Sequence, residues 1–179
     1  MYTKIAVICL VICSILIIVY VIKKHNNVIN SRDILRQHFE LIKTDRFTFC
    51  VFFIVPIIMG AACAVIRLVS NEILSIINIV LPIYIGLQFS VAGILCDMKK
   101  GNDKYEKIKE SAFNEILFES ILSILSLVIS FIITFIGIER IIEMVLLIMS
   151  GLLYILVLST ILNTFIVLKR LKFLFDERN

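Results

Sequence analysis

Histidine is almost missing from this chain. The only two, His25 and His38, fall in one polar stretch outside every long apolar run. Neither begins a His-Glu-x-x-His zinc-protease motif or a His-x4-Asp pair of the acyltransferase kind. The Gly-Asp of intramembrane aspartyl proteases, an aspartate-rich phosphatidyltransferase motif and a glycine-rich phosphate loop are also lacking. No catalytic residue, metal site or cofactor is therefore expected, and the chain does not read as an enzyme. Tryptophan is absent altogether, so the aromatics at the ends of the first apolar run are Tyr2 and Tyr20. The five cysteines (Cys9, Cys13, Cys50, Cys63 and Cys96) all lie within or at the ends of apolar runs, where they read as small apolar residues. Cys96, at the end of a span, is also a candidate for palmitoylation.

What the chain has in excess is apolar sequence. Sixty per cent of its 179 residues are hydrophobic, and the mean hydropathy is +1.05. The excess is gathered into five runs of 18 residues or more, each long enough to cross a bilayer as a helix. They are Ile5–Ile22, Phe47–Val69, Ile73–Cys96, Phe113–Gly137 and Ile141–Leu168. The longest polar gap, 23–46, leaves no room for a soluble domain. The expected fold is an all-α polytopic transmembrane helix bundle. It has an N-terminal anchor (1–24), a cytoplasmic juxtamembrane amphipathic helix (25–46) and a four-helix bundle of two hairpins with a cytoplasmic tail (47–179).

Charge suggests an orientation. Of 18 Lys and Arg, fifteen lie in 23–46, 97–112 and the tail, which fall on one side if five spans alternate. Only Lys4, Arg67 and Arg140 lie on the other. The positive-inside rule then places the N-terminus outside and the C-terminus in the cytoplasm. The net charge of +4 is a feature of orientation, and direct nucleic-acid binding is not expected. Ile5–Ile22 reads as an uncleaved anchor, because Lys23, Lys24 and His25 follow it rather than precede it.

In the juxtamembrane segment, Ile34, Leu35, Phe39 and Ile42 form a helical apolar stripe, with Ser31 as the expected N-cap. It suits the inner leaflet or a partner. In the tail, Lys169, Arg170 and Lys172 would snorkel to inner headgroups or meet a partner. The second and third spans read as a tight hairpin through residues 67–72. Pro56 and Pro82 would then lie at similar depth, each followed by a glycine four residues on, Gly60 and Gly86. Such a pair reads as kinked packed helices or as a bent gating element. Gly60, Cys63 and Ala64 supply a small-residue face for helix contact. Gly101 and Asn102 read as a turn, with Asp103 capping the helix that leads into the fourth span.

The fourth span carries the most informative pattern. At 100° per residue, Glu115, Glu119, Ser123, Ser126, Ser130 and Thr134 fall within one sector of about 100°. Such a face is not left towards lipid. It is either a packing seam or the wall of a water path, with Glu115 and Glu119 paired to Lys107, Lys109 or Lys172 or else forming an acidic mouth. Two function classes follow: a sensor or scaffold that assembles with itself, and a small oligomeric ion channel or pore, holin-like or effector-linked.

The first hairpin opening on Pro56–Gly60 and the closing LNTFIVLKRLKFLF, Leu162 to Phe175, make a layout over 47–175. It resembles the small membrane proteins of prokaryotic anti-phage systems, of the Kiwa membrane-subunit type. The anchor at 5–22 departs from the four spans of that layout. The resemblance implies a homo-oligomer, taken as a tetramer, in a bacterial inner membrane. It would detect phage-induced membrane disturbance and signal to a cytosolic effector protein.

Overall fold

The computed structural model describes residues 46–98 and 101–176. The expected anchor at 5–22 and the stripe of Ile34, Leu35, Phe39 and Ile42 lie outside the described residues. The described chain is an all-α bundle. Helix α1 (Arg46–Phe49) runs through a π-helical stretch (Cys50–Ile54) into α2 (Val55–Ile66). Helices α3 (Asn71–Asp97), α4 (Asp103–Ile136) and α5 (Glu143–Asp176) follow, with a 3-10 turn at Ile138–Arg140 before α5. Among the described residues, four segments are long and apolar enough to cross a membrane: Phe47–Ile66, Asn71–Asp97, Asp103–Ile136 and Glu143–Asp176. They match the last four of the five expected runs.

Local chemistry sets the boundaries. Pro56 lacks an N–H, and its ring crowds the carbonyl one turn back. The preceding turn widens, and the Val55 amide reaches the Cys50 carbonyl five residues behind it. Helix α3 starts at Ser70, whose hydroxyl accepts from the Ile73 amide at 3.4 Å. Helix α4 is capped by Asn102, not by Asp103: the Asn102 side chain accepts from the Tyr105 amide at 2.8 Å. Glu106 reaches back to the Gly101 amide at 2.9 Å. The helix then continues through Tyr105–Glu110 into the span, as the sequence suggested. It stops at Gly137, whose φ of 81° is open to glycine and strained for other residues.

Packing does not follow chain order. Helix α2 packs on α5, α5 on α4, and α4 on α3. Each neighbour runs antiparallel, in the spatial order α2–α5–α4–α3. The second and third spans, expected to form a tight hairpin, are joined by only four residues, yet each takes its main contacts elsewhere. Helices α2 and α5 approach most closely at Gly60, where an added Cβ would lie 2.7 Å from the Ile155 amide nitrogen. One turn on, Ala64 meets Gly151. This is the small-residue contact expected of Gly60 and Ala64.

The core is layered along the membrane normal. One apolar cluster sits at the basic end, around Leu95, Tyr105, Ala112, Ile116, Val167 and Leu174. A second sits at the opposite end, around Val69, Leu74, Leu81, Ile133, Leu146 and Leu153. Between the two lies a belt of polar side chains.

Candidate functional site

The belt is built on the polar face of α4. Glu115 and Glu119 are each 1% exposed, and Ser123, Ser126 and Ser130 are fully buried. Thr134 alone of the six is exposed. The 3.6-residue repeat brings five of these side chains to one stripe, and α3 and α5 cover it within the same chain. Ser126 and Thr134 each donate to the carbonyl four residues back, Leu122 and Ser130, at 2.9 Å. These bonds stay within the helix.

Glu119 is the hub. Its Oε2 accepts from Tyr84 Oη at 2.8 Å and from Gln88 Nε2 at 2.8 Å. Tyr84 Oη also lies 2.5 Å from Thr164 Oγ1. Each hydroxyl carries one hydrogen; Thr164 donates its own to the Thr160 carbonyl at 2.9 Å, so the Tyr84 hydroxyl hydrogen lies between Glu119 Oε2 and Thr164 Oγ1. The chain Thr164, Tyr84, Glu119 thus runs from α5 through α3 to α4. Ser120 adds a bond to Gln88 Oε1 at 3.0 Å. Tyr84 is the central residue of the 27-residue α3, so the hub lies half-way along a membrane-crossing helix. Glu119 Oε1, Ser123 Oγ, Ser130 Oγ and Asn163 Oδ1 are buried without a hydrogen-bond partner among the described residues.

Glu115 is held differently. The expected partners Lys107, Lys109 and Lys172 give way to Arg170 of α5, with Nη1 3.3 Å from Glu115 Oε1. The same nitrogen donates to the Ser111 carbonyl at 2.9 Å. Arg170, expected to snorkel outwards, instead turns inwards, because a buried carboxylate one turn from the boundary needs a cation more than the headgroups do. Lys109 donates to the Met98 carbonyl at 2.8 Å, while Lys169 and Lys172 are exposed.

The proline–glycine pairs separate. Pro56 and Gly60 are buried in α2, whereas Pro82 and Gly86 are exposed on α3. An added Cβ at Gly86 would meet nothing. The two prolines therefore sit in unlike surroundings and share no contact surface.

Tyr84 and Ser120 are the hub residues that sequence reasoning missed. Ser120 lies outside the 100° sector, about 140° from Glu115. Tyr84 did carry a signal: interfacial tyrosines belong at span ends, and this one is central. A buried tyrosine hydroxyl wants a partner.

The arrangement cross-links α3, α4 and α5 at mid-span. Among the described residues no cluster of His, Cys, Asp and Glu is suited to hold a metal ion. The chain matches no family model, no curated protein and no solved structure.

Proposed function

We propose that this is a non-enzymatic membrane scaffold or sensor that assembles with itself and passes a change in the bilayer to a partner at its basic end. The observation that carries the reading is the burial of the α4 polar face within one chain, with Glu115 and Glu119 each 1% exposed. A channel would need that face to line water, and only Thr134 of the six is open. The basic end offers a surface for relay. Helices α4 and α5 have 34 residues each, about 51 Å at 1.5 Å per residue, against a hydrocarbon core of about 30 Å. The surplus projects as a short two-helix stub closed by Tyr105 and Leu174, with Lys104 stacked over Phe173 at 5.0 Å.

The proposal extends to a bacterial inner membrane with the basic end in the cytoplasm, on the fifteen-to-three charge bias. It extends to anti-phage defence with a cytosolic effector, on the hydropathy layout of 47–175. Produced in a bacterial host with its neighbouring genes, the chain should lower plaque number. Reconstituted in liposomes, it should leave a cation gradient intact. Collapse of the gradient would favour the channel. Unchanged plaque counts with the protein inserted would remove the defence reading and leave the scaffold reading standing.

A further inference from the structure

The first span and α4 both flank α5 at the basic end, and a cleft of about 630 Å³ lies between the three. Thr48 and Phe52 come from the first span, Lys107, Ile108 and Ser111 from α4, and Phe165, Ile166, Lys169, Arg170 and Phe173 from α5. The volume falls in the range of small-molecule sites. Its lining is split by chemistry. Three cations lie on the side of the protruding stub, and aromatic and aliphatic side chains continue towards the bilayer core. Phe165 is 63% exposed, so the apolar wall is open to lipid.

The cationic side has unspent capacity. Lys107 and Lys169 make no ion pair or hydrogen bond among the described residues. Both Arg170 contacts there use Nη1, which leaves the donors on Nη2 and Nε of the guanidinium fork. Glu115 offsets one of the three charges and leaves an excess of two.

We infer that this cleft binds one anionic phospholipid, its phosphate among Lys107, Lys169 and Arg170, its acyl chains along Phe52 and Phe165. Charge complementarity, the boundary depth and the lipid-facing apolar wall together select a lipid over a soluble anion, which would leave the aromatic half of the cleft empty. The π-helical stretch contributes directly, since Phe52 lies within it. The inference needs only that the chain sits in a bilayer, and it stands apart from any role in sensing or defence.

The test is native mass spectrometry of the full chain in detergent with added phosphatidylglycerol or phosphatidylcholine. Wild type should retain one phosphatidylglycerol in preference to phosphatidylcholine. Lys107→Ala with Lys169→Ala should weaken that retention about 30-fold, from the attraction of two lysines near an anionic surface. Lys107→Arg with Lys169→Arg should keep it, which separates lost charge from lost fold. Lys172→Ala, an exposed change outside the cleft, should leave it unchanged. Equal retention of the two lipids would overturn the inference, as would an equal loss in Lys172→Ala. Displacement by inorganic phosphate at matching concentration would assign the cleft to a soluble anion instead.

Discussion

Arg170 and Glu115 close the basic end of the polar seam. The guanidinium nitrogen that lies 3.3 Å from the Glu115 carboxylate also ties down the Ser111 carbonyl. One side chain of α5 thereby holds both a charge and a backbone group of α4. The geometry makes the pair unequal to its exposed counterpart, Arg67 and Glu72 at 3.8 Å, which solvent screens.

Arg170→Ala should therefore be costly. It takes the Arg170 guanidinium away from a carboxylate that is 1% exposed, a loss of about 3–5 kcal/mol in buried pairs. Glu115→Gln in the same chain should recover much of that loss. Thermal unfolding in detergent reads both, and an Arg170→Ala protein as stable as wild type would show the pair to be dispensable.

Gly60→Ala should destabilise, because the new methyl meets the Ile155 backbone, at 2.7 Å from its nitrogen and 2.9 Å from its Cα. Overpacking of this kind costs about 1–3 kcal/mol. Gly86→Ala, into open space, should be neutral or slightly stabilising. Equal unfolding midpoints for the two variants would mean that α2 can move away from α5 without cost.

Tyr84→Phe removes two contacts of the hub but leaves Gln88 bonded to Glu119. Hydrogen bonds between membrane helices average about 0.6 kcal/mol and reach about 1.7, so a loss of roughly 1–2 kcal/mol is expected. A double-mutant cycle with Thr164→Val should show coupling between the two positions. Strict additivity would show that Tyr84 and Thr164 do not act together across α3 and α5.

Ser126→Ala should be nearly silent, since its hydroxyl bonds only the Leu122 carbonyl of its own helix. Ser126→Asp buries a carboxylate at a fully covered position and should cost at least the roughly 2.5–3.5 kcal/mol of mid-membrane insertion scales. The expected outcome is unfolding or aggregation in gel filtration for Asp alone. A well-folded Ser126→Asp protein that conducts cations would reverse the reading of this face.

The helices were legible because hydropathy is a local property. The four described spans and the stripe from Glu115 to Ser130 follow from residue type and a 3.6-residue period. The partners were not legible, because pairing is decided between helices. The short connection at 67–70 suggested that α2 lies against α3, yet Gly60 and Ala64 find their complement, Ile155 and Gly151, on α5. For Glu115 the sequence offered Lys107, Lys109 and Lys172, and the structure uses Arg170, a neighbour of the last on the same helix. Ser120 was excluded by a sector drawn too narrowly, since α3 and α5 cover α4 from two sides.

The spatial order α2–α5–α4–α3 has a consequence for biosynthesis. Chains are made from the N-terminus, so α2 enters the bilayer while its docking partner has not yet been translated. Helices α3 and α4 can pair as soon as Glu119 arrives beside Tyr84 and Gln88, but Glu115 must wait for Arg170. Translation of α5 supplies Arg170 and the surface for Gly60 at once. Completion of the bundle is thus deferred to a single late event. A ribosome stalled before α5 would leave an inserted chain that lacks the Arg170 contact to Glu115 and bears an unclaimed small-residue face.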